Sequence, residues 1–527
     1  MTASRPWLAL YDAGVPAEAT PRHPTALHSF LAACERDAQR VFMHYRSHAI
    51  TYAQADEQSD ALAADLSRRG IAAGDRIAIY LQSVPQFVIA TIAAWKLSAV
   101  VATVNPMYRE RELTEVLRDS GAKALFCERG EFLDATLRAA ADCSVTHVVA
   151  CDPSSGTLPV EPAAPFTRRL PEPSAPATFI YTSGTTGPMK AAVSLHSQVA
   201  YSAEVYRSWA DMQPDDVIIA IAPLVHVTGM IGYVALAMAA GCSLVLTHRF
   251  SPTVFRDAVR QHGGTFTIGP TTAFIALAAA DDVKPEELAT LRKTYSGGAP
   301  IPAAVVERYR NKFGHTILGI YGLTEGTGPT HMVPRSQAAP IDPESNTQAV
   351  GLPVPGLDCR ILDDAGTTAG AGTPGEISLS GPQVASGYWM RPSDTESTFT
   401  REGLRTGDIG VMDAQGWLYV IDRMKDQINA SGFKVWPREV EEVLYEHAAV
   451  LECAVVGVPD EYRGESVRAY ISLRQGHSAG APELESFCRE RMAAFKVPRS
   501  FVFLPQLPKT ASGKVLRRAL RDVPTSH

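Results

Sequence analysis

Residues 181–190 (Tyr-Thr-Ser-Gly-Thr-Thr-Gly-Pro-Met-Lys) concentrate groups that bind oxyanions. Glycines let the backbone turn so that successive N–H groups point at one anion, hydroxyls add donors, and Lys190 adds a positive charge. A polyphosphate is therefore the natural guest of this loop. A solvated Ser/Thr/Gly loop is the competing interpretation, and the spacing of Gly184, Gly187 and Lys190 excludes a Walker A loop.

Five further clusters, each with at least one polar or charged side chain, follow along the chain. A carboxylate in them could ligate Mg²⁺, a lysine could hold a phosphate, and a tyrosine could stack on a base. The clusters are residues 223–226 (Pro-Leu-Val-His), 321–325 (Tyr-Gly-Leu-Thr-Glu), 406–408 (Thr-Gly-Asp), 422–426 (Asp-Arg-Met-Lys-Asp) and 508–514 (Pro-Lys-Thr-Ala-Ser-Gly-Lys).

Taken together and in this order, the loop and the five clusters resemble the motifs of the acyl-adenylate-forming (ANL) superfamily. This superfamily includes acyl-CoA synthetases, adenylation domains and beetle luciferases. The matching segments span positions 181 to 514, and their ordered co-occurrence is far more specific than any single motif. Residues 422–437 look most like the fatty-acid CoA ligases, which are AMP-forming acid:CoA ligases. The loop departs from the family at its end, where Met189-Lys190-Ala191 stands in place of Pro-Lys-Gly, so loop mobility or phosphate geometry could differ.

The resemblance implies an ATP site. Tyr321 would stack on adenine, Asp408 would accept hydrogen bonds from the ribose, and Arg423 would donate to the ribose or a phosphate. Glu325 would be catalytic and would ligate Mg²⁺ through a hard oxygen. The other residues placed on the nucleotide are Thr182, Ser183, Gly184, Thr185 (also catalytic), Thr186, Gly187, Lys190, Gly298, Ala299, Gly322 and Thr324.

The same resemblance assigns the reacting and moving parts. Lys514 would be the catalytic lysine that bridges the substrate carboxylate and the α-phosphate, although an isolated lysine here would be read as part of an exposed tail. His226 would gate the mouth of the acyl pocket. Without the resemblance, a histidine in an apolar run would be interpreted as a core residue whose hydrogen bonds are satisfied. Lys425 would be the hinge of a rotating C-terminal domain, and Gly432 would let the backbone approach CoA. The neighbouring cations expected to be solvated or phosphate-facing are Lys509, Arg517 and Arg518.

Alternating helical and β-type patterns indicate how these residues are positioned. The alternation runs over residues 53–150 and again over 217–320, which predicts βαβ units and mostly parallel sheets. After Pro353, short strands and a hairpin at 413–416 predict an antiparallel or barrel-like piece. From residue 423 onward, charged composition and mixed periodicity predict a small α+β unit.

The expected fold class is therefore α/β, with the ANL adenylating-enzyme arrangement. Residues 1–422 would form an N-terminal AMP-binding domain of two αβ subdomains plus the barrel-like piece. Residues 423–427 would form the hinge, and residues 428–527 a mobile C-terminal α+β domain.

Composition limits the class of protein. The 527 residues are 46% hydrophobic and 20% charged with a net charge of -7, which is ordinary for a soluble protein and gives no basic excess for nucleic acid. The eight cysteines form no C-x-x-C pair, which favours a reducing cytoplasm over a disulfide framework. The apolar run 217–246 is punctuated by Pro223 and three glycines, which favours strand, loop, helix and strand over a membrane span.

The function implied by the resemblance is an ATP-dependent acyl-CoA synthetase. It would activate a carboxylic acid, expected to be a medium- or long-chain fatty acid, through an acyl-AMP intermediate and transfer it to CoA. The expected partners are the acid, ATP, Mg²⁺ and CoA, with a homodimer and a peripheral membrane contact left open. The alternatives are an aryl or dicarboxylic acid CoA ligase, an adenylating enzyme that loads a carrier protein, a luciferase-like oxygenase and a non-catalytic nucleotide-binding homologue.

Overall fold

The structure, a computed structural model, describes residues 5–130, 133–158, 167–182, 189–299, 301–343, 347–430, 433–460, 464–510 and 513–521. The fold is the mixed α/β arrangement that the sequence predicts, with a large N-terminal region and a smaller C-terminal α+β region. Within the described ranges, the strands form sheets of nine, six, five and five strands.

Several helices begin at residues suited to cap them. Thr25, Thr51 and Ser251 each accept a hydrogen bond from the backbone N–H three residues later, which satisfies a donor that the first turn leaves free. Pro85 and Pro437 lie in first turns, where no intrahelical N–H bond is needed. The α-helices of the described residues are α1 (Ala26–Arg36), α2 (Tyr52–Arg68), α3 (Pro85–Lys96), α4 (Glu110–Ser120), α5 (Leu133–Ala141), α6 (His196–Trp209), α7 (Val227–Gly229), α8 (Leu236–Ala240), α9 (Pro252–His262), α10 (Thr271–Ala279), α11 (Ala303–Phe313), α12 (Pro392–Thr398), α13 (Pro437–Glu446), α14 (Ala481–Arg489) and α15 (Arg517–Arg521).

The strands are short, and many are rich in β-branched residues, which favour extended backbone. In the described parts of the chain they are β1 (Val41–Tyr45), β2 (His48–Thr51), β3 (Arg76–Tyr80), β4 (Val100–Thr103), β5 (Ala124–Glu128), β6 (His147–Cys151), β7 (Pro176–Thr182), β8 (Lys190–Leu195), β9 (Val217–Ala220), β10 (Ser243–Leu246), β11 (Phe266–Pro270), β12 (Lys293–Gly297), β13 (Leu318–Leu323), β14 (Gly328–Met332), β15 (Leu352–Pro353), β16 (Asp358–Leu362), β17 (Gly375–Ser380), β18 (Phe399–Thr400), β19 (Gly403–Met412), β20 (Leu418–Arg423), β21 (Ile428–Ala430), β22 (Phe433–Val435), β23 (Val450–Asp460), β24 (Gly464–Leu473) and β25 (Ser500–Phe503).

Two largely parallel sheets carry the N-terminal region. Their strand orders are β15-β14-β13-β12-β11-β9-β10-β1-β2 and β6-β5-β3-β4-β7-β8. Strands β13 to β1 along the first order, and β6 to β7 along the second, run parallel, and helices supply the crossovers. In such sheets, ligands bind beyond the carboxyl ends of the strands. The ends of β7, β12 and β13 carry three of the predicted site segments.

The remaining sheets agree with the change to short strands and turns that the sequence shows after Pro353. Strands β16 to β20 form an antiparallel sheet, which is the piece predicted to be barrel-like. The predicted hairpin at 413–416 is confirmed, because Gly416 N donates to Asp413 O (3.1 Å) between β19 and β20. Strands β21 to β25 form the C-terminal sheet, in which β24 and β25 are parallel and the other pairs antiparallel.

The helix after His226 contains a wide turn. Between α7 and α8, residues Met230–Ala235 adopt π-helical hydrogen bonding. Gly229 lies so close to the backbone of Pro223 and Leu224 that a side chain there would collide with main-chain atoms. The apolar run therefore folds as strand, loop and helix, as predicted. No helix in the described ranges has both the length and the apolar character that a bilayer crossing requires.

The N-terminal region also contains elements that sequence patterns do not predict. Helix α1 and the β1–β2 hairpin fall outside the predicted alternation, and β1 pairs parallel with β10, about 200 residues along the chain, Met43 opposite Leu244. Helix α3, which is predicted, is buried on every side. Trp95 on this helix donates its indole N–H to Ala177 O (3.0 Å). This contact fixes the helix against the start of β7, which leads into the predicted phosphate loop.

Candidate active site

The predicted phosphate loop joins β7 to its antiparallel neighbour β8. Thr182 closes the base of the loop by donating its hydroxyl to Lys190 O (3.3 Å). The Lys190 ammonium forms an ion pair with Asp394 and lies 5.4 Å from the centroid of the Tyr388 ring. Five predicted phosphate-binding residues lie outside the described residues, namely Ser183, Gly184, Thr185, Thr186 and Gly187.

Ala191, which stands where the family has glycine, is regular strand. It is fully buried, pairs with Tyr181 across β7 and β8, and accepts a hydrogen bond from Trp389 N (2.9 Å). No left-handed backbone is needed at this position, because a strand residue has negative φ. On this side of the loop, alanine is therefore compatible with the strand.

Tyr321, Asp408 and Arg423 meet at the end of β13. Tyr321 donates its hydroxyl to Asp408 Oδ2 (2.7 Å), and Arg423 Nε lies 3.3 Å from Asp408 Oδ1. Desolvation, together with the Asp408 carboxylate, raises the pKa of Tyr321 well above its usual value, so the phenol stays protonated. The cluster brings together a tyrosine ring, a buried carboxylate and an exposed guanidinium.

Thr324 and Glu325 lie in a 3₁₀ turn, Thr324–Gly326, that follows β13. Tyr388 donates its hydroxyl to Glu325 Oε1 (2.6 Å), and Glu325 O accepts a hydrogen bond from Ala385 N (2.8 Å). Gly322 allows the close approach of the Gly328 carbonyl from β14. The Glu325 carboxylate is thus held at one oxygen by a neutral donor.

The described residues fit a nucleotide-bound Mg²⁺ better than a resident metal cage. Within the described ranges, no set of three His, Cys, Asp or Glu side chains is placed to hold a metal. Magnesium usually takes one or two carboxylates and completes its shell with phosphates and water. Glu325 is a hard-oxygen donor of that kind, and its hydrogen-bond partner Tyr388 lies beside Lys190 at the start of β8.

Lys514, which belongs to the C-terminal region, lies beside Gly298 of the N-terminal region. Gly298, at the end of β12, has φ +82°, and a Cβ built there would lie 2.9 Å from Lys514 Cε. Thr272 Oγ1 donates to Gly513 O (2.9 Å), and Thr510 N donates to Lys514 O (2.7 Å), which fixes the turn that carries the lysine. Ala299 accepts a hydrogen bond from Thr271 through its carbonyl (3.3 Å).

The electrostatic surroundings of Lys514 include several predicted site residues. Desolvation and the Arg423 charge lower the pKa of Lys514 from 10.5 to about 8, while Asp408 and Glu325 oppose this shift. Lys514 is nevertheless an exposed residue, so its side chain stays in contact with water. The lysine therefore lies among the nucleotide-binding candidates.

His226 is placed at the start of the helix beyond β9. Its backbone N–H donates to Pro223 O (3.2 Å), and it forms the N-terminal cap position of α7. Its Nε2 is buried and has no hydrogen-bond partner in the described part of the chain. Desolvation and the Lys514 charge lower the pKa of His226 to about 4, so the imidazole is neutral at pH 7.

The predicted hinge is part of a polar cluster. Lys425 is the central residue of the 3₁₀ turn Met424–Asp426, which follows β20. Arg517, in α15, bonds Asp422 Oδ1 (3.0 Å) on one side of this turn and both oxygens of Glu441 (2.8 and 2.9 Å) on the other. Arg521 pairs with Asp426 (3.0 Å). Gly432, predicted to approach CoA, lies outside the described residues.

One expectation about a cation is wrong. Arg517 is not a solvated or phosphate-facing residue, because its guanidinium is enclosed by three carboxylates that raise its pKa. Lys509 is an exposed residue, as predicted, and pairs with the buried Glu452 (2.8 Å). Arg518 is exposed, as predicted. The residue spacing around position 514 does not show which of these cations forms ion pairs, because the partners lie in distant segments.

Sequence reasoning also missed Tyr388 and Asp394, which touch Glu325 and Lys190. Neither belongs to a cluster of chemically active residues in the sequence. The signal that was available is residues 386–389 (Ser-Gly-Tyr-Trp), in which a glycine and two large aromatics stand in an irregular segment. Loop aromatics of this kind are often functional.

Comparisons with known proteins agree with the fold. The family model described as AMP-binding enzyme matches residues 30–389, and the model of the AMP-binding enzyme C-terminal domain matches residues 439–514. A long-chain-fatty-acid–CoA ligase of Bacillus subtilis (strain 168) is 30% identical and covers 100% of this chain and 99% of the relative. A feruloyl-CoA synthase of Amycolatopsis sp is 32% identical over 90% of this chain and 94% of the relative.

A solved structure shows the same architecture with nucleotide bound. ATP-bound MatB from Rhodopseudomonas palustris has a TM-score of 0.86 and 27% sequence identity, covering 94% of this chain and 98% of that one. The two family models together extend from residue 30 to residue 514. The chain belongs to the AMP-binding enzyme family.

Proposed function

We propose that this AMP-forming acid–CoA ligase activates a medium- or long-chain fatty acid. The acid would react with ATP to give an acyl-AMP and pyrophosphate, and the acyl group would then pass to CoA. Support for a fatty acid comes from the long-chain-fatty-acid–CoA ligase of B. subtilis, which is 30% identical over the whole chain. The ATP-bound structure of the MatB relative supports ATP as the nucleotide.

One observation carries the proposal. The ammonium of Lys514, from the C-terminal region, lies against Gly298 and within electrostatic reach of Arg423, Asp408 and Glu325. These groups come from β12, β13 and β19 to β20 and meet only in the folded chain. A cation at this point suits a reaction that brings a carboxylate against a phosphate.

In the first step, a carboxylate oxygen of the acid would attack the α-phosphorus, and the P–O bond to pyrophosphate would break. Lys514 would offset the negative charge shared by the two reactants, which otherwise repel. In the second step, the CoA sulfur would attack the acyl carbon, the bond to AMP would break, and the thiol proton would leave to solvent. His226, neutral at pH 7, would line the entrance used by the acyl chain.

The remaining residues would hold the nucleotide. Tyr321 would stack on adenine, and Asp408 with Arg423 would bind the ribose or a phosphate. Glu325 would hold a Mg²⁺ that accompanies ATP, which would reduce the charge of the triphosphate. The residues assigned to the phosphates and the nearby backbone are Thr182, Ser183, Gly184, Thr185, Thr186, Gly187, Lys190, Gly298, Ala299, Gly322 and Thr324.

The two steps would require two poses of the C-terminal domain. We place the domain boundaries at residues 1–422, 423–427 and 428–527, with Lys425 as the hinge. Rotation there would withdraw Lys514 and bring Gly432 toward CoA. The contact between Gly513 and Thr272 would then belong to the adenylating pose.

The variant Lys514→Ala tests the catalytic assignment. We expect acid-dependent pyrophosphate release to fall by at least about 10²-fold, because a fixed charge at the reacting centre is lost, while ATP binding measured by calorimetry persists. The matched control is Lys509→Ala, which removes a lysine of the same segment that pairs with Glu452. Pyrophosphate release near the wild-type rate in Lys514→Ala would refute the role of Lys514.

A panel of acids tests the substrate. Hexadecanoate, octanoate, ferulate, benzoate and malonate are compared for pyrophosphate release with and without CoA. We expect the fatty acids to give the highest kcat/KM and to yield acyl-CoA only when CoA is present. Preference for ferulate would favour an aryl acid, which the 32% identity to a feruloyl-CoA synthase supports as the second candidate. Pyrophosphate release with any acid but no acyl-CoA would point to a carrier protein as the acceptor.

A further inference from the structure

A segment that the sequence motifs leave unassigned runs along the edge of the six-stranded sheet. Residues 385–395, named here the strap, lie beside β8. Trp389 N donates to Ala191 O (2.9 Å), Val193 N donates to Gly387 O (2.9 Å), and Ser386 N donates to Val193 O (3.0 Å). The strap is thereby fixed to the strand that leads out of the phosphate loop.

The strap is also tied internally by Thr395. Tyr388 N donates to Thr395 Oγ1 (2.9 Å), and the same hydroxyl donates to Arg391 O (2.8 Å). Gly387 has φ +134°, and a Cβ there would lie 2.6 Å from Thr395 Cγ2, so only glycine fits this turn. The conformation around Tyr388 is therefore set before any ligand arrives.

A second set of contacts anchors the strap to α4. Trp389 Nε1 donates to Asp119 O (3.2 Å), and Arg391 pairs with the Asp119 carboxylate (3.0 Å). The other carboxylate oxygen of Asp119 accepts a hydrogen bond from Tyr181 (2.8 Å), at the end of β7. The strap is thus fixed to the same scaffold as the phosphate loop.

The inner side of the strap holds Glu325. The Tyr388 hydroxyl donates to Glu325 Oε1 (2.6 Å), and Ala385 N donates to Glu325 O (2.8 Å). The Tyr388 ring packs edge-on against Phe399 (5.4 Å between centroids), which restricts its rotation. At its other end, Asp394 pairs with Lys190.

We propose that Tyr388 is a positioning residue that orients the Glu325 carboxylate for a nucleotide-bound divalent cation; this rests on the function proposed above. A glutamate side chain has three rotatable torsions, and a donor fixed at one oxygen selects one orientation of the carboxylate. The other oxygen would then be the one offered to the cation. Partners that orient a metal-binding carboxylate typically affect metal affinity by about 10–100-fold when they are removed.

The test is the variant Tyr388→Phe, which deletes the hydroxyl and keeps the ring contact with Phe399. Mn²⁺ binding to the enzyme–ATP mixture, followed by electron paramagnetic resonance, is measured without any acid substrate. We expect Mn²⁺ affinity to fall by about 10-fold or more. In pyrophosphate release, we expect the KM for Mg²⁺ to rise similarly, with a much smaller change in kcat at saturating Mg²⁺.

The matched control is Tyr419→Phe, which removes a hydroxyl that donates to Asp413 (3.3 Å) in the β19–β20 hairpin. It should leave Mn²⁺ affinity at the wild-type value. In a Glu325→Gln background, Tyr388→Phe should cause no further loss of Mn²⁺ affinity, because the group it orients is gone. An equal loss in both backgrounds would show that Tyr388 acts without Glu325 and would overturn the proposal.

The two proposals fail in different ways. If wild-type enzyme releases no pyrophosphate with any acid, the proposed function fails, whatever Tyr388 does to Mn²⁺ binding. If wild-type enzyme is active and Tyr388→Phe binds Mn²⁺ as tightly as wild type, the positioning role of Tyr388 fails and the function stands.

Discussion

The ammonium of Lys514 lies between opposing charges. Arg423 repels it, Asp408 and Glu325 attract it, and desolvation lowers its pKa to about 8, well below the ordinary value of 10.5. Because the lowered pKa favours the neutral amine, the protonated form dominates only below pH 8. In the free enzyme, the positive charge that Lys514 would supply to the two anionic reactants is therefore close to the pH at which it is lost.

This leads to a pH prediction. We expect kcat/KM for pyrophosphate release to fall above about pH 8, approaching tenfold per pH unit, because it reports the free enzyme. The corresponding fall in kcat should occur at higher pH, since bound anions stabilise the charged lysine. The variant Arg423→Gln removes the repelling charge, so we expect the fall in kcat/KM to shift to higher pH. A kcat/KM profile that stays flat to pH 9.5 would contradict this assignment.

Individual site residues differ in how far the sequence could predict them. The resemblance assigned Lys514, Asp408 and Glu325 to one site, and in the structure the two carboxylates lie within electrostatic reach of the lysine, although their roles stay predictions. Tyr388 could not be predicted, because it reaches Glu325 across 63 residues of chain and no local pattern encodes that contact. Periodicity describes a single element, whereas this hydrogen bond depends on how two elements pack.

Secondary-structure elements could be predicted where they repeat a simple pattern. The parallel strands and crossover helices of the N-terminal region follow the alternation in the sequence. The β1–β2 hairpin could not be placed, because β1 is stabilised by β10 of a distant segment. Its local sequence, Val-Phe-Met-His-Tyr at 41–45, does not alternate apolar and polar residues.

Helix α15 illustrates what an element contributes through one side chain. Arg517 pairs with Asp422, which has little exposed side chain, and with Glu441. Replacing it by Met leaves these carboxylates without their cation. We expect Arg517→Met to lower the opening free energy of the C-terminal region by about 3 kcal/mol, measured by native-state hydrogen exchange in β23 and β24.

The control for this experiment is Arg518→Met, at the next position of the same helix, where the arginine is exposed. It should change the opening free energy by less than about 0.5 kcal/mol. Equal effects of the two variants would show that helix propensity or net charge, and not the ion cluster, stabilises the region.

Across the whole molecule, one apolar cluster joins the N-terminal and C-terminal regions. It extends from α9, α10 and α11 to α13 and β23, and Arg308 of α11 donates to Tyr445 O (3.0 Å). The pose in the structure is therefore stabilised by packing as well as by the ion pairs around residues 422–426. The rotation about Lys425 proposed above would have to separate part of this contact.

Buried histidines predict how the whole fold responds to acid. His196 and His331 are fully buried, and desolvation lowers the pKa of each to about 3, below the ordinary 6.5. Between pH 6 and 4 the unfolded chain would bind two protons that the folded chain does not. We expect these two groups to lower the free energy of unfolding by about 2.7 kcal/mol for each unit by which the pH is lowered.

Urea unfolding followed by tryptophan fluorescence checks this slope, since Trp95 packs against His196. The variant His196→Gln should remove one of the two protons by which the unfolded and folded chains differ. The slope that the two histidines contribute should therefore be halved. An unchanged slope in that variant would mean that His196 does not resist protonation in the folded state.

The wide turn Met230–Ala235 has a consequence for reading relatives of this enzyme. A π turn holds one residue more than an α turn, so it amounts to a single inserted amino acid within a helix. Because the wide turn absorbs the extra residue, the helical turns on either side of it keep their faces. An alignment with a relative that lacks the insertion therefore needs a one-residue gap here, and without that gap each later side chain would be compared with one about 100° away around the axis. Substitutions along this helix are therefore comparable between family members only after the register of each has been established separately.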